Sequence, residues 1–233
     1  TICVNDKGTP PIIPPVDCAI ITTLPEEFKA VIDLFKLRES APLVFEGWLP
    51  LASSKLSIVA VQCSQSGSVI SAITTTQLLY DWAPKCVFLL GRCAGFPDPL
   101  RSQDESDLQE CDVLISSGIC AYEYQILKKN KTTGESEVAF DARSVKISGI
   151  LCDAAKNLIL GNWEYNGKLL KDLKDTGKHR LPKAVASDFA CGFKVVKAGN
   201  DWIEYIRKSV GKRKIFGVEM EGEGVGEAIE KHR

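Results

Sequence analysis

Along the chain, short apolar runs alternate with stretches whose apolar positions recur at helical spacing. The run from Val16 to Ile21 is short and apolar, the pattern of a buried strand. Pro25 then stands at a helix first turn, Glu26 and Glu27 suit its positive end, and Phe28, Val31, Ile32 and Phe35 follow at helical spacing. Leu56 to Cys63 predicts a second strand, broken by Gly67, and Val69 to Trp82 a helix. Lys85 to Leu90 predicts a third, fully apolar strand ending at Gly91, and Val113 to Ser116 a fourth. Ser148 to Leu160 reads as a helix, Ala184 to Ala186 as a short strand and Asp201 to Lys208 as a helix. Ile215 to Val218 reads as a strand and Met220 to Glu230 as the last helix. Strands separated by single helices imply right-handed crossovers. The expected fold is therefore α/β, three layers (α/β/α) around a central mixed, largely parallel sheet.

Residues 1–15 form an extended lead-in, because Pro10, Pro11, Pro14 and Pro15 fix φ and push their predecessors away from helix. Residues 16–233 are expected to make one domain, with polar, aperiodic loops at 98–111 and 161–182. The 233 residues carry 29 Lys+Arg against 30 Asp+Glu, so no basic footprint points to nucleic acid. No apolar run approaches the ~18 residues of a membrane span, and the first fifteen residues lack a secretory pattern. The first residue is Thr1, so the native start is not assumed. Nine cysteines occur without a CxxC pair and beside only two histidines, which leaves no zinc ligand set. Cys18, Cys63 and Cys86 fall inside apolar runs, as buried reduced thiols do. That usage fits a reducing compartment, and the expected location is the cytoplasm.

In open α/β folds ligands bind beyond the carboxyl ends of the strands, so the residues just after each predicted strand are the candidates. They are Thr22, Thr23, Leu24, Glu26 and Glu27; Ser64 to Gly67; Gly91 to Gly95; Ser187, Asp188 and Phe189; and Glu219, Met220 and Glu221. This set is rich in carboxylates and small residues. It lacks a Ser-His-Asp or Cys-His arrangement, a phosphate-binding P-loop and a GxGxxG turn. What survives is acid/base and electrostatic catalysis by carboxylates on a polar, hydroxyl-bearing substrate, with no cofactor.

At Gly91-Arg92-Cys93-Ala94-Gly95 and Val218-Glu219-Met220-Glu221-Gly222 the sequence resembles the nucleoside phosphorylase superfamily. Within it the resemblance is to the methylthioadenosine/S-adenosylhomocysteine nucleosidases. Thr23 to Phe28 matches the family's MEEE-like helix start, and Ser66-Gly67 its glycine turn. Arg92 to Phe96 matches the GSAGG loop, Cys111 to Ser116 the GDIVVS strand, and Tyr122-Glu123-Tyr124 an aromatic-acidic stretch. Ser187 to Ala190 partly matches the SGDAF loop, and Val218 to Gly222 matches VEMEA almost letter for letter. The Cys-Ala-Gly loop and the Tyr-Glu-Tyr stretch look more like phosphorylase-type domains of immune effector proteins, some of which resemble nucleosidases acting on ATP.

The resemblance implies cleavage of the N-glycosidic bond of a purine nucleoside or adenine nucleotide through an oxocarbenium-like ribose. Glu221 would accept both ribose hydroxyls, with Met220 against the sugar and Glu219 alongside. Glu27 would position the attacking water, and Phe189 would lie on the base. Ser66, Gly67, Cys93, Ala94, Gly95 and Asp188 complete the implied binding set, and Cys93 is read as a small loop residue rather than a nucleophile. Arg92 suits a phosphorylated ribose, because a guanidinium grips phosphate in bidentate fashion. Water is expected as the acceptor, phosphate being the alternative co-substrate of a phosphorylase. The family's leaving-group Asp follows a further strand. Either the domain runs on past Arg233 or the proton comes from elsewhere, for which Asp188 is a poor substitute. The partner is a small purine ligand, the expected assembly a homo-oligomer. The rival reading is a catalytically silent binding or oligomerisation module.

Overall fold

The computed structural model describes residues 15–96, 108, 112–129, 132, 134–145, 147–160, 183–193, 200–211 and 215–232. Most of the expected lead-in, all of the expected loop at 98–111 except Leu108, and the whole of 161–182 lie outside the described residues. The chain divides into two compact units, Thr1–Arg92 with Glu227–Arg233, and Cys93–Gly226.

In the first unit β1 (Cys18–Thr22) leads into α1 (Pro25–Phe35), then β2 (Arg38–Ala41), β3 (Val44–Pro50), β4 (Lys55–Gln62), α2 (Ser68–Trp82) and β5 (Cys86–Leu89). The sheet runs β2-β3-β4-β1-β5. β1 lies parallel to both β4 and β5, whereas β2, β3 and β4 form an antiparallel meander. β1 and β4 are buried on both faces, which is why they read as continuous apolar runs. Alternate residues point to opposite faces. Ala19 and Ile21 of β1 therefore share one face with Val59 and Val61 of β4, and Ile20 shares the other with Ile58 and Ala60. Against this second face α1 lays Phe28 and Val31, with Leu37 completing the cluster. Phe28 also meets Phe45 of β3 edge-on at 5.3 Å.

The second unit holds β6 (Ala94–Gly95), β7 (Val113–Ala121), β8 (Gln125–Lys129), β9 (Ser136–Phe140) and β10 (Arg143–Val145). After them come α3 (Gly149–Leu160), β11 (Ala184–Cys191), α4 (Asn200–Val210), β12 (Ile215–Glu219) and α5 (Gly222–His232), whose last residues belong to the first unit. Its main sheet runs β10-β7-β11-β12-β6, with β7, β11 and β12 parallel and the two edge strands antiparallel; β8 and β9 pair as a separate hairpin. The core joins Cys120, Tyr122 and Ala190 to Ile206 and Val210 of α4. The fold is α/β with mixed, partly parallel sheets, as expected. No helix among the described residues is long and apolar enough to cross a membrane.

Several expectations change in detail. β11 does not stop at Ala186 but continues to Cys191, because it is paired on both sides, with β7 and with β12. Ser187, Asp188 and Phe189 therefore lie inside a strand, at register shifts where a bulge passes, rather than after it. β7 likewise runs on to Ala121 beside β11. The last helix begins at Gly222, not Met220. β5 is the expected apolar strand, though Phe88 keeps 37% of its surface exposed at what is, among the described residues, the edge of the sheet. Cys63 is buried as expected, whereas Cys18 and Cys86 are only partly so.

Candidate active site

In the first unit the candidate chemistry gathers where β1 and β5 end. Helix α1 opens with Leu24 at its N-cap, and leucine offers no side-chain acceptor for the unpaired N–H groups of a first turn. Glu27, one turn in, instead reaches back to the N–H groups just ahead of the helix. Its Oε2 accepts the N–H groups of Leu24 at 2.9 Å and Thr23 at 3.3 Å, the acidic half of a capping box. Its Oε1 accepts the Arg92 N–H at 2.8 Å, tying the chain that leaves β5 to the start of α1. Gly91 makes this approach possible: a Cβ there would stand 3.2 Å from both Glu27 oxygens. The Glu27 side chain is only 10% exposed. A carboxylate offers about four lone-pair directions, so three N–H groups leave room for a further donor such as water.

Arg92 sits on these carboxylates. Its Nη2 lies 2.6 Å from Glu26 Oε1 and its Nε 3.8 Å from Glu27 Oε1. The Glu26 contact is open to solvent, with the two side chains 68% and 61% exposed. Such a pair contributes ~0–1 kcal/mol. Ser66 is exposed in the bend before α2, and Gly67 takes the N-cap of that helix at φ 117°, a backbone region that favours glycine.

In the second unit the candidates gather at the end of β12. The Glu219 carboxylate folds back onto the start of α5, where its Oε2 accepts the N–H groups of Glu221 at 2.7 Å and Gly222 at 2.6 Å. A negative charge suits a helix N-terminus, and this cap explains why the helix begins at Gly222. The other oxygen, Oε1, is buried with no hydrogen-bond partner. Burial raises the Glu219 pKa above the usual carboxylate range, outweighing the Cys191 thiol and the two N–H groups that pull it down. Gly222 leaves the space: a Cβ there would come within 2.9 Å of Glu219 Oε1 and 2.7 Å of Ile119 Cδ1. Glu221 is half-buried, and its Oε2 takes the Met220 N–H at 3.3 Å.

Ala94 and Gly95 form β6, paired with Val218 and Gly217 at the edge of β12, so the loop is pinned by main-chain bonds. Burial and then Glu219 push the Cys93 thiol up, which keeps it protonated and argues against a nucleophile. Asp188 accepts the Ser117 hydroxyl at 2.8 Å. Phe189 is packed over Gly217, where a Cβ would lie 3.2 Å from its ring and 3.3 Å from Leu114. Both are thus engaged by the sheet.

Tyr122 and Glu123, part of the aromatic-acidic stretch noted in the sequence, follow directly on β7. The Tyr122 hydroxyl is buried without a partner, and burial, then Glu123, raise its pKa. Glu123 Oε2 accepts the Phe193 N–H at 2.5 Å. The available signal was the aromatic-acidic stretch itself, since the strand read from the sequence stops at Ser116 and only pairing with β11 carries it on to Ala121. Among the described residues no group of three or more His, Cys, Asp or Glu is disposed to hold a metal ion.

No model of a known protein family matches the chain, and no curated protein matches it in sequence. Solved structures do. The methylthioadenosine/S-adenosylhomocysteine nucleosidase of Neisseria meningitidis, in complex with methylthio-immucillin-A, matches 93% of this chain and 80% of its own at 16% identity, TM-score 0.59. A futalosine hydrolase of Helicobacter pylori matches 93% and 84% at 17% identity, TM-score 0.59. A Helicobacter pylori nucleosidase with 5'-methylthioadenosine in its active site matches 93% and 80% at 19% identity, TM-score 0.60. The backbone agrees with the resemblance read from the motifs: the chain has the fold of these nucleosidases and of this hydrolase.

Proposed function

We propose that the protein is a nucleosidase that hydrolyses the N-glycosidic bond of a purine nucleoside and releases the free base. The observation that carries this reading is the pair of carboxylates at the end of β12: Glu219 with a buried, unpartnered oxygen, and Glu221 beside it. A carboxylate held in low dielectric stabilises positive charge developing on a ribose far better than one in water. Glu221 takes the two ribose hydroxyls, and Glu219 holds it in place by capping its N–H. Glu27 keeps the role the resemblance assigns it, holding the attacking water.

Water is favoured over phosphate as the acceptor. The one arginine of the candidate set, Arg92, already carries Glu26 and Glu27. An adenine nucleotide such as ATP is the finer form of the same reading, and it requires Arg92 to exchange Glu26 for a phosphate. Releasing an exposed ion pair loses ~0–1 kcal/mol, against ~1.5–3 kcal/mol for a charge-assisted contact, so the exchange is affordable. Assembly as a homo-oligomer is read from the resemblance, and sedimentation velocity decides it.

Incubation with adenosine, inosine, methylthioadenosine and ATP, with free base followed by chromatography, tests the proposal. Base released from at least one substrate is the expected result. No base from any of them, with the protein folded, makes the chain a silent module of this fold.

A further inference from the structure

β1 and β5 are neighbouring parallel strands, and their register sets Cys18 directly opposite Cys86. Paired residues on adjacent strands face the same side of the sheet, and the strands lie ~4.8 Å apart. That spacing falls within the ~4.4–6.8 Å between Cα atoms that a disulfide spans. The Cys86 thiol reaches across the gap and donates to the main-chain carbonyl of Asp17 at 3.2 Å. The two sulfurs feel each other: burial, and next to it Cys86, push the Cys18 thiol up to about 12. Both cysteines are free and neither is fully buried, so a small reagent reaches them.

We propose that Cys18 and Cys86 are a redox-active dithiol, a modification site that closes to a disulfide in exchange with a small-molecule disulfide. Because the raised Cys18 thiol stays protonated, it is the Cys86 thiolate that attacks a sulfur of the oxidant, whose S–S bond breaks, and the departing half takes up a proton. Cys18, held against it, then attacks the protein sulfur of this mixed disulfide, its proton passing to the departing half, which forms the Cys18–Cys86 bond and expels that half as a thiol. Two electrons and two protons pass from the cysteine pair to the oxidant, which becomes two small thiols.

The position gives the link a consequence. Among the described residues β5 is the edge of its sheet and pairs with β1, and the chain leaving it carries Arg92 onto Glu27. A disulfide would tie this edge to the centre of the sheet. It requires Cβ atoms ~3.8 Å apart, closer than neighbouring strands hold them, so the link is strained and readily reduced. It is a reversible tie.

The full chain is treated with glutathione disulfide, alkylated, digested without reduction and mapped by mass spectrometry. The Cys18 and Cys86 peptides should be recovered joined, ~2 Da lighter than their sum, and should separate again in millimolar reduced glutathione. In Cys86→Ser the Cys18 peptide should instead retain glutathione or be alkylated, with no cross-link to another cysteine. Recovery of both wild-type peptides alkylated, or both still bearing glutathione, overturns the proposal. So does preferential linkage of Cys18 to a different cysteine.

Discussion

Glu219 and Glu221 stand two residues apart and have different surroundings. Glu219 spends one oxygen on two N–H groups and buries the other, whereas Glu221 remains half-buried with its carboxylate near its own helix start. Division of labour between neighbouring carboxylates is set by environment rather than by residue type. Glu221→Gln should lower turnover ~100-fold, because a charge-assisted contact that strengthens in the transition state is weakened. Turnover within a few-fold of the parent would remove Glu221 from the chemistry. Arg92 tests the substrate. If a phosphate displaces Glu26, Arg92→Ala should lower kcat/KM for ATP by about 10- to 100-fold and leave adenosine nearly unchanged. Equal losses on both substrates would make Arg92 a strut on Glu26 and Glu27.

At the scale of elements, helix starts are where the structure concentrates its carboxylates. Glu27 accepts the N–H groups of Thr23 and Leu24 just ahead of α1, and Glu219 supplies the acceptor α5 needs. The second has a pH signature. The Glu219 pKa is raised in the folded protein, so the folded state holds that proton more tightly than the unfolded one. Its stabilisation is complete below the unfolded value, near 4.5, and is lost as pH rises through the folded value. Glu219→Gln keeps an acceptor oxygen and cannot ionise. Denaturant titrations should therefore show the stability of wild type relative to Glu219→Gln falling as pH rises above 4.5; a difference flat with pH would contradict the raised value. Packing of the same helix offers another check. A Cβ on Gly226 would overlap Val145 of β10. Gly226→Ala gains ~1 kcal/mol in helix propensity but meets an overpacking penalty of ~1–3 kcal/mol. The expected net result is a loss of ~1 kcal/mol in chemical denaturation, and a stabilised variant would show that β10 yields.

For the molecule as a whole, the choice of acceptor separates a hydrolase from a phosphorylase. Base release should proceed in phosphate-free buffer and change less than about two-fold when phosphate is added. Dependence on phosphate, with sugar phosphate as product, would move the protein to the phosphorolytic branch of the same fold. The fold itself places strand ends, helix starts and candidate carboxylates together in each unit, but function belongs to the site and not to the fold.

What the sequence by itself determined was the succession β1, α1, β4, α2, β5 and the closing β12–α5. There the apolar runs are long enough to be read locally, and Pro25 and Gly67 punctuate them. It also pointed to the Val218–Gly222 motif and so to the fold. Tertiary structure alone decided the rest. Arg38–Ala41 is exposed throughout and becomes a strand only because β3 offers it a partner. Ala94–Gly95 is a strand only because β12 has an open edge, and β11 runs to Cys191 because both its neighbours do. Which of two carboxylates is buried, and which cysteine faces Cys18, depend on residues far away along the chain. Propensity and periodicity act over a few residues, whereas ladder hydrogen bonds and burial are set by whatever the fold brings alongside.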